Sequence, residues 1–154
     1  MIAAVFCGGV IGLERDLRKL PTGFRTLGIV SLGACLAGIA GELTGEPSAF
    51  SRIAQGVVTG IGFLGAGVIL QHGKIQHVKG LTTAAAIWLT ASIGLMCGLG
   101  EVKIAAIGTA LAIGVLLLDA LGAQLMPKLP DENASPKSES KSPPSSEKAP
   151  HDKL

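Results

Sequence analysis

The chain has 154 residues, 48% hydrophobic and 16% charged, with a formal net charge of +2 and a mean hydropathy of +0.53. Average soluble chains carry roughly 25% charged residues, so this composition argues against a soluble enzyme with a conventional core. A charge of +2, with no basic stripe interleaved by aromatics, gives no basis for nucleic-acid binding. All 22 glycines fall between Gly8 and Gly122, and six of the eight prolines lie from Pro127 onward. The chain therefore divides near Met126 into an apolar, glycine-rich body (residues 1–126) and a polar tail (residues 127–154).

Five apolar runs, separated by charges, are predicted in chain order. The first, Met1 to Leu13, is short for a span. Thirteen residues at about 1.5 Å each cover about 20 Å of a roughly 30 Å hydrocarbon layer. No basic segment precedes Ile2, and Glu14-Arg15-Asp16 stands where a signal-peptide cleavage pattern would. The expectation is a span whose helix continues towards Lys19 or whose start lies before Met1. The second run is Thr26 to Gly41. The third, Ile53 to Leu70, and the fourth, Gly80 to Gly100, are uncharged and long enough to cross outright. The fifth runs from Ile104 past Asp119 to Met126. The predicted fold class is all-α, a polytopic membrane bundle of about five spans.

Orientation follows from Lys and Arg in the short connections. Arg15, Arg18, Lys19 and Arg25 crowd the first; Arg52 stands alone in the second, Lys74 and Lys79 in the third, and Lys103 alone in the fourth. Odd connections and the lysine-bearing tail then face the cytoplasm, with the N-terminus outside. The tail has six serines, six prolines and two leucines, too little apolar surface to fold alone, and is expected to be disordered.

Several glycines recur at i, i+4, the small-xxx-small spacing that lets helices approach in lipid. Gly8/Gly12, Gly56/Gly60 and Gly94/Gly98 are such pairs, and Gly62, Gly65 and Gly67 make the third run denser still. Gly56, Gly60, Gly62, Gly65 and Gly67 are accordingly predicted to pack helices. Trp88, near the middle of the fourth run, is read as a packing residue against neighbouring glycines, with a pore-lining or stacking role as the second reading. Gly60-x-Gly62-x-x-Gly65 imitates a dinucleotide fingerprint, but no acidic residue follows before Glu101 and the motif lies inside a span. Cys7, Cys35 and Cys97 each sit in an apolar stretch without a C-x-x-C pair, which reads as packing. No metal site, cofactor or catalytic group is assigned.

The candidate functional residues are polar groups at or inside the spans. Glu14 and Arg15 lie at a membrane boundary, where an ionisable group is a functional candidate and needs a partner; Arg25 or Arg52 could supply it for Glu14. Glu42 and Glu46 could share a hydrated ion, though a solvated helix end is the favoured reading. Gln55 and Thr59 are four apart beside Gly56 and Gly60, and Thr82 and Thr83 open the fourth span. Such groups join helices or line a path.

Ordered blocks over residues 1 to 122 resemble the MgtC/SapB family of bacterial membrane proteins. They are Gly12-Leu13-Glu14-Arg15, Arg25-Thr26, Arg52-Ile53-Ala54-Gln55, the block Gly60 to Leu70, and Gly80-Leu81-Thr82-Thr83-Ala84-Ala85 followed by Trp88-Leu89-Thr90-Ala91. The resemblance implies an inner-membrane domain with a cytoplasmic C-terminus and a role linked to growth in low magnesium. It implies non-enzymatic regulation of other membrane proteins through helix contacts, with self-association as a further option; the alternative is a magnesium transporter or channel subunit. Longer members carry a soluble C-terminal domain where this chain has its polar tail. Leu27 follows Arg25-Thr26 where a histidine is common, so no proton or metal role is placed there.

Overall fold

The computed structural model describes residues 1–46, 48–71 and 80–125, and of residues 70, 71 and 119–125 the backbone alone. The expectations for Lys74, Lys79, the Asp119 side chain and the tail from residue 127 lie outside the described residues.

Five helices account for the body: α1 (Ile2–Leu17), α2 (Phe24–Leu43), α3 (Ala49–Gln71), α4 (Leu81–Gly98) and α5 (Val102–Leu125). Each apolar run has become one helix; α1, α2 and α3 extend into flanking polar residues, whereas α4 stops inside its run at Gly98. The first run continues helically past Leu13 as expected, and α1 carries its charged end Glu14-Arg15-Asp16 in its last turn. By length and hydropathy α2, α3 and α4 can each cross a membrane; α1 is too short and too charged at its end, and α5 is apolar over Val102–Leu118.

The α1–α2 connection is a tight one. Lys19 takes the left-handed conformation at φ 56°. Its N–H reaches the Asp16 carbonyl and the Leu20 N–H the Arg15 carbonyl, both at 3.0 Å. These bonds satisfy carbonyls that the helix end leaves free, and Pro21 then prevents continuation. The chain turns back, and α2 begins with the Phe24 N–H bonded to Asp16 Oδ2 at 2.8 Å.

α4 is the central helix, packed against α1, α2, α3 and α5. Glycines set the close approaches. A Cβ on Gly94 would stand 2.2 Å from the Ser31 carbonyl oxygen, and one on Gly98 would stand 2.6 Å from that of Cys35. The same holds across α1 and α2, where Gly8 faces Leu27 and Ser31 and Gly12 faces Gly23 and Phe24. Small residues make up much of the interior, including Ala4, Cys7, Ala34, Cys35, Ala86, Ala91, Cys97, Ala105 and Ala112, with Ile11, Leu27, Ile87, Ile93 and Leu95 among them, whereas Ile2, Phe6, Ile29, Phe63, Leu111 and Leu118 point outward. Many large apolar side chains outside and many small ones inside suit a lipid solvent, where close backbone packing rather than apolar burial holds helices together.

α3 stands at the edge and touches only α2 and α4 among the described elements. Here the structure corrects the packing expectation. A Cβ on Gly65 would meet the Ala84 Cβ at 3.4 Å, but one on Gly56, Gly60, Gly62 or Gly67 would meet nothing within 4 Å among the described residues. These four glycines leave an open face because α3 leans on α4 through its other side. Trp88 is corrected likewise: it is 48% exposed on the outer side of α4.

Candidate functional site

The helix ends gather the polar residues into two groups. One lies where the C-terminus of α1 meets the N-termini of α2 and α4; the other lies where α2 hands over to α3.

In the first group Arg15 is the organising residue. It belongs to the last turn of α1, yet only 1% of it is exposed. Its Nε donates to the Pro21 carbonyl at 3.1 Å, and its Nη2 donates to Thr83 Oγ1 at 2.5 Å. A guanidinium taken out of water costs several kcal/mol unless its donors find acceptors. The turn after α1 supplies one such acceptor and the first turn of α4 the other. Nη1 has no hydrogen-bond partner among the described residues. Thr83 is buried, whereas its neighbour Thr82 is exposed, because adjacent helical positions point about 100° apart. Of the two threonines, Thr83 therefore belongs to the site.

Glu14 lies beside Arg15 on α1, and its Oε1 is paired with Arg18 Nε, one turn on in the same helix. This corrects the sequence expectation of a partner at Arg25 or Arg52. An i, i+4 pair needs no folding to bring its members together, and Arg18 is four positions away. Glu14 Oε2 is buried without a hydrogen-bond partner among the described residues. Arg25 is exposed on the first turn of α2 and makes no ion pair among the described residues.

The second group is solvent-facing. Arg52 on α3 binds Glu46 Oε2 through Nη2 at 2.8 Å and Ser48 Oγ through Nη1 at 2.5 Å, and Ser48 donates to Glu46 Oε1 at 2.8 Å. The Arg52 guanidinium first, and then the Ser48 hydroxyl, hold the Glu46 carboxyl below the usual carboxylate range. Glu46 is thus engaged by a cation, and α2 has ended at Leu43, so Glu42 and Glu46 do not share a helix face for a hydrated ion. Gln55 and Thr59 lie exposed on α3 without hydrogen bonds among the described residues. No group of three or more His, Cys, Asp and Glu is placed to hold a metal ion among the described residues.

Three polar residues have roles that the sequence argument did not give them. Asp16 fixes the start of α2 from the end of α1, and no local spacing signals an acceptor eight positions upstream. Ser31 is fully buried where α1, α2 and α4 meet. Its position one turn from Leu27 and from Cys35, both fully buried, was a signal for the inner face of α2. Arg18 was counted for topology, and its i, i+4 relation to Glu14 was readable.

A family model described as the MgtC family matches residues 1–122. Protein MgtC of Salmonella typhimurium is 42% identical over 130 residues, covering 84% of this chain and 55% of the relative. Protein MgtC of Brucella abortus is 40% identical over 115 residues, covering 75% of this chain and 48% of the relative. The chain thus spans about half the length of the curated relatives it matches. No solved structure matches.

Proposed function

The chain belongs to the MgtC family and is a membrane protein of that type, and from this premise we propose that it acts as a non-enzymatic regulator of other membrane proteins through helix contacts. The observation that carries the reading is the open face of α3. The glycine pairs Gly8/Gly12 and Gly94/Gly98 are used up inside the bundle, whereas Gly56 and Gly60 have the same spacing and open space around them. Small residues on an outward face let another helix approach closely in lipid. The low-magnesium link is the part of the proposal that rests on family resemblance alone. In this reading the protein lies in the inner membrane with its N-terminus outside, as the distribution of Lys and Arg supports. Cysteines at Ser48 and at Lys19 should then be labelled from opposite sides, Ser48 from outside.

The test is site-specific crosslinking from the open face in cells. A photoreactive residue at Thr59 should capture another membrane protein. Gly60→Leu should abolish the capture while the purified chain keeps its unfolding temperature. Unchanged capture in Gly60→Leu would sink the reading.

A second reading, a magnesium transporter or channel subunit, draws support from Glu14, whose Oε2 lacks a partner in a buried setting. An unsatisfied buried acceptor at a membrane boundary is where a cation or its water would be held. Saturable magnesium flux into proteoliposomes, abolished by Glu14→Gln, would establish this alternative in place of the regulator.

A further inference from the structure

Two clefts meet at Phe24. The first is an apolar groove of about 530 Å³ running along α1 from Met1 to Leu13, walled by Val5, Gly9 and Val10 and closed from α2 by Phe24 and Leu32. The second is a polar cleft of about 420 Å³ lined by Asp16, Gly23, Phe24, Arg25 and Thr26. The ring of Phe24 lies over Gly9, where a Cβ would stand 2.5 Å from Cε2, so the ring forms the step between the two. From the geometry we propose that this face is a binding site for one zwitterionic glycerophospholipid, its headgroup carrying a phosphate and an ammonium group. One acyl chain occupies the groove and the headgroup occupies the cleft.

Length, charge and position agree on this occupant. Twelve residues of helix at about 1.5 Å give a groove of about 18 Å. That is close to half of a roughly 30 Å hydrocarbon core, the depth of one leaflet. The Leu13 end of the groove adjoins the charged last turn of α1, Glu14-Arg15-Asp16, where a headgroup would meet polar side chains. Arg25 and Asp16 both line the cleft, yet they form no ion pair with each other. Among the described residues Arg25 makes no ion pair, which leaves its donors to bind a phosphate. Asp16 Oδ2 is spent on the Phe24 N–H, so the start of α2 is already capped and offers no free anion site, while the carboxylate charge remains to face an ammonium group. A zwitterion with phosphate and ammonium a few bonds apart fits between the two. A purely anionic headgroup would meet the Asp16 carboxylate. The site lies on the α1–α2 face, away from the open face of α3, so it stands or falls independently of the regulator reading.

The test is native mass spectrometry of the full chain, purified in detergent and titrated with phosphatidylethanolamine and phosphatidylglycerol of matched acyl chains. The expected result is saturation at one phosphatidylethanolamine per chain, retained several-fold better than phosphatidylglycerol. Arg25→Gln, at an exposed position, should lower that retention several-fold without changing the unfolding temperature. Val5→Trp, which fills the groove, should lower retention of both lipids. Equal or stronger retention of phosphatidylglycerol, unsaturable uptake of both lipids, or unchanged retention by Arg25→Gln would each overturn the proposal.

Discussion

Arg15 and Thr83 stand 68 positions apart in the chain and are joined by a hydrogen bond between Nη2 and Oγ1, both side chains buried. The bond ties the last turn of α1 to the first turn of α4, the helix on which the other four pack. It is also the point where a charge inside the protein is made tolerable. Removing the acceptor would strand a buried donor on a cation, a loss of about 1–3 kcal/mol. Thr83→Val keeps the shape of the side chain and removes the hydroxyl, so it should lower the stability of the purified protein by that amount, read from thermal unfolding in detergent. Thr83→Ser restores an acceptor and should recover most of the loss. If Thr83→Val unfolds at the wild-type temperature, the hydrogen bond does not stabilise the bundle.

The glycines divide into two classes with opposite expected responses to alanine. At Gly94 the new Cβ would stand 2.2 Å from the Ser31 carbonyl oxygen and 3.0 Å from the Ala34 Cβ, so α2 and α4 must move apart. Overpacking of that kind costs about 1–3 kcal/mol. At Gly56 the Cβ enters open space, and alanine is the better helix former by up to about 1 kcal/mol. Unfolding of the isolated chain should therefore show Gly94→Ala destabilised and Gly56→Ala unchanged or stabilised. Destabilisation by Gly56→Ala would mean that the α3 face is covered within the purified protein itself.

Much of this architecture was legible in the sequence, because charges interrupt the apolar runs and a helix in lipid has few other places to begin and end. The fates of individual residues were less so. Gly56/Gly60 and Gly94/Gly98 have identical spacing, and which pair is enclosed depends on α4 being central and α3 peripheral, a property of the assembled bundle. Arg15 and Thr83 were each recognisable as polar residues at span boundaries, but nothing local says that they meet. Glu14 illustrates the reverse: a distant cation was sought for it although Arg18 lay one helical turn away. Trp88 was misjudged because in lipid a large apolar surface can face outward at no cost, so size is no guide to burial.

The cluster at the other end of the bundle gives a dependence on pH. Glu46 accepts hydrogen bonds from Arg52 and Ser48, and these, the Arg52 bond foremost, lower its pKa. A carboxyl whose folded pKa is depressed contributes stability above its unfolded pKa, and that contribution disappears as the pH falls through the folded value. The pair is exposed, so salt should weaken it. Titration of the Glu46 carboxyl carbon by NMR should give a midpoint below the usual carboxylate range, moving up towards it in Arg52→Gln. An Arg52→Gln midpoint equal to that of the wild type would show that the guanidinium is not the cause.

Asp16 makes the most local of these contacts: it gives the Phe24 N–H a carboxylate acceptor at 2.8 Å, where α2 begins with Gly23 as its cap and no cap side chain of its own. Loss of a capping acceptor costs about 0.5–2 kcal/mol, and here the loss should be confined to the first turn of α2, since Leu27, Ser31 and Cys35, all fully buried, hold the rest of that helix in place. Asp16→Ala should raise the hydrogen-exchange rate of the Phe24 and Arg25 amides while leaving the Ala34 and Cys35 amides protected. Asp16→Asn, which keeps an oxygen acceptor but not the charge, should restore most of the protection. Equal protection in Asp16→Ala and wild type would show that the α1–α2 turn holds the start of α2 without the carboxylate.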